Sequence, residues 1–167
     1  MKMLALLAAL VSPTVPSSPA PGELRTLGQA VLANLPKQSV LLAVCGPSQG
    51  VGYYLTPNED GWVDDPITMG RMVVVVTPDR SPNIYFKDAS GEMINAKSDG
   101  AEIEFTFIDS KNESFGLIER YQKTGVTQTY VFSPSPGGRS IMLWTSAKAH
   151  SGRASITKAA TYFAQCE

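Results

Sequence analysis

Between Ser39 and Ala147 apolar and polar residues alternate in short runs parted by turn residues. The runs read "SVLLAVCG", "GVGYYL", "MGRMVVVVT", "NIYFKD", "EMINAK", "AEIEFTFID", "GLIERYQ", "VTQTYVFS" and "RSIMLWTSA". Between them stand "TPNEDG", "TPDRSP", "ASG", "SDG", "SKNES", "KTG" and "PSPGG", each supplying Gly, Pro, Asn or Asp for turn geometry. Period-two alternation marks a strand with one buried and one wet face. Ile103, Phe105 and Phe107 fall on one such face, with Glu102, Glu104 and Thr106 opposite. Ile84 with Phe86, and Ile141 with Leu143, repeat the device. Connections this short leave no room for helical crossovers, so neighbouring strands are expected to be antiparallel. The fold class is therefore mainly β: a meander of eight or nine strands, curled into a barrel or a strongly bent sheet because closure removes exposed edges.

Helical spacing flanks the strands. "ELRTLGQAVLANLPKQ" sets Leu24, Leu27, Val31, Leu32 and Leu35 on one stripe, weakened by Gly28 and stopped by Pro36. "ASITKAATYFAQC" sets Ile156, Ala159, Ala160, Phe163 and Cys166 on another and predicts a C-terminal helix packed on the sheet. One strand run, "MVVVVT" at residues 72 to 77, is apolar on both faces. A helix covering its outer side explains that; exposure as an interface for a partner or second copy is the alternative.

The first residues read differently. Lys2 precedes an unbroken apolar run from Met3 to Val11, too short for the roughly 20 residues of a membrane span but suited to a secretory signal. A Pro- and Ser-rich stretch follows, so residues 1–20 are expected to be a signal peptide, cut somewhere between 17 and 22. Residues 21–167 are then a single β domain with no integral membrane segment, exported to the periplasm or the exterior. Cys45 and Cys166 suit that route, because a lone pair of cysteines in an oxidising compartment is most simply a disulfide. Two distant cysteines and one histidine, His150, do not make a zinc site of ordinary spacing. A net charge of −1 without a basic patch gives nucleic acid nothing to bind, and no motif asks for a cofactor.

Three stretches carry candidate chemistry. Gly46-Pro47-Ser48-Gln49-Gly50 matches G-x-S-x-G, with Ser48 as nucleophile and His150 as the one possible imidazole base. That motif works where a strand delivers the serine to a sharp turn and a helix follows. Here the strand-like "GVGYYLTP" follows, and the expected setting is a hairpin loop. The acidic loop "NEDGWVDD" offers Asp60, Asp64 and Asp65 to calcium. Counting from Asn58 puts Met69 at the twelfth position, where an EF-hand needs Glu, so a solvated turn is the simpler reading. Glu102 and Glu104, about 7 Å apart on one strand, resemble a glycosidase pair less than a wet strand face. Finally Tyr53, Tyr54, Trp62, Tyr85, Tyr121, Tyr130 and Trp144 each join an apolar body to a polar tip and can fill the core or line a pocket.

A short helix, an antiparallel meander, a closing helix and a disulfide to the C-terminus together are similar in outline to lipocalin-like barrels. Their Gly-x-Trp signature is missing, since Gly61 and Trp62 are adjacent and lie late. The functional expectation is an exported, non-catalytic binding protein, monomeric or weakly self-associating. It would take a small ligand in a barrel mouth, or recognise or inhibit another protein. A small secreted serine hydrolase using Ser48, or an envelope component associating through the valine run, are the alternatives.

Overall fold

The computed structural model describes residues 22–55, 60–67, 70–87, 90–135, 139–149 and 157–167. Residues 1–20, expected to be a signal peptide, His150 and Ile156 lie outside them. Helix α1 (Glu23–Leu32) is followed by strands β1 (Val40–Leu55), β2 (Asp60–Asp64), β3 (Arg71–Val76), β4 (Pro82–Lys87) and β5 (Met93–Asn95). Strands β6 (Glu102–Asp109), β7 (Ser114–Tyr121), β8 (Val126–Pro134), β9 (Ser140–Lys148) and β10 (Thr157–Cys166) complete the chain. All pairings are antiparallel, in the order β5-β4-β3-β1-β10-β9-β8-β7-β6, with β2 beside β1 and off that path. The nine strands of that path form a half-barrel.

The organising element is β1. The runs "SVLLAVCG" and "GVGYYL" form one strand of 16 residues. Its first part pairs with β3, its last part pairs with β2, and β10 lies along its other edge. Register slips between Cys45 and Ser48, at Gly46-Pro47. Proline cannot donate to a ladder, and a bulge is where a strand tolerates it. Because β1 joins β10, the first and last strands meet mid-sheet, and β5 and β6 end the nine-strand path.

The predicted C-terminal helix is instead β10. Ala160, Tyr162, Ala164 and Cys166 are buried while Ala159, Thr161, Phe163 and Gln165 are exposed, a strict period of two. The alanines satisfied a helical stripe equally well. Tertiary pairing decided: β10 is hydrogen-bonded along both edges, to β1 and to β9. Cys45 and Cys166 stand opposite each other in that pairing and form a disulfide across 121 residues of sequence.

The valine run is covered on both sides. Met72 and Val74 join the inner core with Ile84, Leu117, Phe132 and Met142. Val73 and Val75 pack outward under α1 with Leu24, Val31 and Val44. Val73, Val74 and Val75 are wholly buried, and Val76 is half-buried. Gly28 permits that packing: a Cβ there would stand 2.7 Å from Val44 Cγ2 and 2.8 Å from Leu41 Cδ2. The residue that weakens α1 as a helix lets it sit close on β1.

Two expected faces are shifted. On β6 a register slip between Phe105 and Phe107 turns Phe107 outward, over Gly116 of β7. A Cβ at Gly116 would lie 2.5 Å from Phe107 Cε1, so the missing side chain makes the ring's seat. On β9 the buried residues are Met142 and Trp144, with Leu143 outside. "IMLW" is apolar at every position, and pairing of Trp144 with Tyr130 and Tyr162 selects the inward set.

Candidate ligand-binding site

Registered pairing places aromatic rings side by side inside the half-barrel. Trp144 stacks on Tyr162 of β10 at 4.1 Å and on Tyr130 of β8 at 5.6 Å. Phe132 stacks on Phe115 of β7 at 4.4 Å, and Phe115 meets Phe105 of β6 edge-on. Trp144 and Tyr130 of this ladder wall a cavity of about 230 Å³, lined also by Gly46, Ser48 and Ile67, by Gly70, Arg71, Met72, Phe86 and Lys87, and by Gln128.

Two residues of that lining each hold a buried donor without a hydrogen-bond partner among the described residues: Trp144 at Nε1 in the inner core, and Arg71 at Nε on the side of β3 that carries Val73 and Val75 under α1. Trp144 is only 9% exposed. A buried donor without an acceptor costs about 1–3 kcal/mol. The other Arg71 nitrogens are occupied: Nη1 donates to the Gly70 carbonyl at 2.9 Å and Nη2 to Glu23 Oε1 of α1 at 3.2 Å. A larger, more open groove of about 660 Å³ lies among Leu42, Val76, Phe105 and Phe115, but neither unpartnered donor lines it.

Two polar clusters support the wall. Asp65 Oδ2 accepts from Tyr54 Oη at 2.5 Å, from Lys158 Nζ at 2.5 Å and from Tyr162 Oη. Partial burial pushes the Asp65 carboxyl up, but hydrogen bonds from Lys158, Tyr162 and Tyr54 outweigh it and hold the group below its usual range. Lys158 also lies over the Tyr54 and Tyr162 rings, at 4.9 and 5.2 Å from their centres. The second cluster centres on Glu119, 1% exposed. It accepts from Tyr121 Oη at 3.1 Å, Gln128 Nε2 at 3.0 Å and Tyr130 Oη at 2.5 Å, with no cation among these partners. Burial pushes its carboxyl above the ordinary value, against the pull of the tyrosine hydrogen bonds.

No known protein family, curated protein or solved structure matches the chain. The site is therefore read from its own geometry.

Ser48 lies inside β1 rather than in a hairpin loop; its N–H donates to the Ile67 carbonyl and its carbonyl accepts from the Ile67 N–H. It reaches the cavity lining from a strand, without the strand-to-helix elbow of a hydrolase nucleophile. His150 lies outside the described residues. The calcium candidates separate: Asp64 is exposed, whereas Asp65 is committed to Lys158 and two tyrosines. Asp60 closes the ladder opposite Leu55 through its backbone. The described residues hold no group of three or more His, Cys, Asp or Glu side chains placed for a metal ion.

Of the aromatic candidates, Trp144 lines the cavity and Tyr54 braces it through Asp65. Tyr53 meets Trp62 edge-on at 5.6 Å away from the cavity, with Trp62 66% exposed. Tyr85 lies toward α1, where its hydroxyl accepts from Asn95 Nδ2. Four site residues escape the sequence reading. Lys158 and Tyr162 were hidden by the helical stripe, and Arg71 by its place at the head of an apolar run. Glu119 was visible in principle: it shares parity with Phe115, Leu117 and Tyr121 in "SFGLIERY", an acid on a core-facing row.

Proposed function

We propose that this chain is an exported, non-catalytic binding protein that holds a compact small molecule inside its half-barrel. The observation that carries the reading is the cavity of about 230 Å³ itself, where the apolar Trp144, Tyr130, Phe86, Met72 and Ile67 share a lining with the polar Ser48 and Gln128. Sites for small ligands combine an apolar wall with a few polar groups that fix orientation, and this one has both. Export is supported by the Cys45–Cys166 disulfide and by the signal-like first residues. A catalytic role has less support, since Ser48 has no elbow and no base beside it among the described residues. Native mass spectrometry of protein purified from the exported fraction, with a denatured control, tests the reading. Retained non-covalent mass on a monomer is expected; protein that never retains mass and is not stabilised by any small molecule would reject it.

Recognition of another protein draws on a different surface. Phe107, Val131, Leu143 and Phe163 are exposed and follow one another across β6 to β10 in register, with Gly116 between the first two. A row of exposed apolar side chains on neighbouring strands is a recognised mark of an interface.

A further inference from the structure

Along one side of the half-barrel, apolar residues that face inward stay exposed. Ile108 of β6 pairs with Phe115 of β7, and Phe115 pairs with Phe132 of β8, so the three form one inward row. Phe132 is buried and Phe115 half-buried, yet Ile108 is 66% exposed. Across the gap Val40 of β1 pairs with Val76 of β3, which shares its face with the inward Met72 and Val74. Val40 is 54% exposed. These residues, with Leu42 and Phe105, line the groove of about 660 Å³.

The groove is an unclosed part of the seam between β6 and β3. The start of β6 is tied down, because the Ala101 N–H donates to the Ala96 carbonyl and the Ala96 N–H to the Ile84 carbonyl of β4. Toward Asp109, no hydrogen bond among the described residues joins β6 to β1 or β3. Turns form the lips. In one, Asp79 Oδ1 accepts from the Thr77 hydroxyl and the Ser81 N–H; in the other, Asp109 accepts from the Asn112 side chain and the Lys111 N–H. Both lips are thus held before any ligand arrives. The smaller cavity takes Met72 from the far end of β3 and shares no lining residue with the groove.

Going beyond the compact ligand of that smaller cavity, we propose that the groove is a second site, for an elongated, neutral, apolar molecule ending in a hydroxyl. Its volume lies within the roughly 300–1,000 Å³ of small-molecule sites. A cavity of roughly 150 Å³ holds benzene, so this groove takes on the order of ten to twenty carbon atoms. Its lining mixes signs: Arg80 from one turn, Asp109 and Glu113 from the other. Arg80 and Glu113 are exposed, and neither side chain has a hydrogen-bond or ion-pair partner among the described residues. A carboxylate end would meet two acids and an ammonium end would meet Arg80. A hydroxyl both donates and accepts, so it suits either lip.

The test labels the isoleucine δ1 methyl groups of the exported chain with ¹³C and titrates decan-1-ol at neutral pH. Ile108 lines the groove and Ile67 lines the smaller cavity, so the two signals separate the sites. Decan-1-ol is expected to shift Ile108 and leave Ile67 in place, with decanoate and decylammonium each binding at least tenfold more weakly. Ile108→Lys sets a charge on the apolar lining and should weaken decan-1-ol at least tenfold. Leu143→Lys, on the outer face, should leave that affinity unchanged. Circular dichroism checks that each variant folds, and Val40→Lys serves if the Ile108 variant does not. Either charged probe binding as tightly as the alcohol would overturn the neutral end. A shift at Ile67 alone would overturn the groove site while supporting the smaller cavity. No shift at either methyl would overturn the groove site too, and retained mass in the native spectrum then decides separately whether the chain carries a compact ligand.

Discussion

Trp144 and Tyr162 lie directly opposite one another on β9 and β10, with ring centres 4.1 Å apart and planes 18° from parallel. The same Tyr162 donates its hydroxyl to Asp65, which Lys158 also holds. The ring on which Trp144 stacks is thus held by an ion pair. Its two side chains are only 20% and 22% exposed, so the pair is better shielded than most surface bridges. Asp65→Ala would leave Lys158 without its carboxylate and Tyr162 without its acceptor. A loss of about 2–3 kcal/mol is expected, read as a lower urea midpoint with unchanged slope. A change within 0.5 kcal/mol would mean that water replaces the carboxylate freely.

The two buried acids give stability opposite dependences on pH. Asp65 titrates below its ordinary value in the folded chain, so between its folded and unfolded pKa the unfolded chain binds more protons. Its contribution is present above the unfolded value, about 4, and lost as pH falls through the folded one. Glu119 titrates above its ordinary value, so there the folded chain binds more protons. Its contribution is present at low pH and lost as pH rises through the folded value. Tyr121, Tyr130 and Gln128 contact the carboxyl, and Asp99 adds a like charge from the turn before β6. Urea midpoints measured from pH 3 to pH 8 should therefore lose their falling limb in Glu119→Gln and have a weaker acid-side loss in Asp65→Asn. Identical profiles in wild type and both variants would show that neither group titrates differently on folding.

Cys45 and Cys166 join the two strands through which the ends of the sequence meet. Closing a loop of 121 residues removes unfolded-chain entropy worth about 4–5 kcal/mol on the loop-closure account. Both residues are buried, so Cys45→Ala with Cys166→Ala also removes sulfur from the core. The double variant is expected to lose at least that much stability, seen as a large fall in melting temperature. Refolding in reductant should mimic it. A loss under 1 kcal/mol would mean that the β1–β10 ladder closes the sheet unaided.

The fold was readable where alternation was clean and ambiguous where apolar residues filled both faces. Glu102, Ile103 and Glu104 alternate, and the structure keeps Ile103 in and both acids out, with Glu104 paired to Arg120 at 2.5 Å. "IMLW" carries no such instruction, and only its neighbours' registers choose Met142 and Trp144. The C-terminal stretch misleads because alanine is the best helix former yet fits beside large rings in a sheet. Here Ala160 and Ala164 flank Tyr162 on the inner face. The disulfide partners were legible from counting two cysteines. The cavity was not, because Met72, Tyr130 and Trp144 come from β3, β8 and β9, and pairing order alone assembles them. Ser48 shows the reverse case: a motif complete in sequence, set in a strand that gives it no elbow.

The apolar row across the outer face makes the final prediction. Leu143 is 50% exposed at its centre, opposite Val131 on one side and Phe163 on the other. Substituting an exposed residue on a paired central strand alters stability little, usually within about 0.5 kcal/mol, so Leu143→Lys should fold as the wild type does. If the row is an interface, the change places a charge at its middle and should disperse any dimer or partner complex seen in the native spectrum. Trp62→Ser, on the β1–β2 edge away from this row, should leave such a complex intact. A complex that survives Leu143→Lys and is lost with Trp62→Ser would move the interface to the β1–β2 edge.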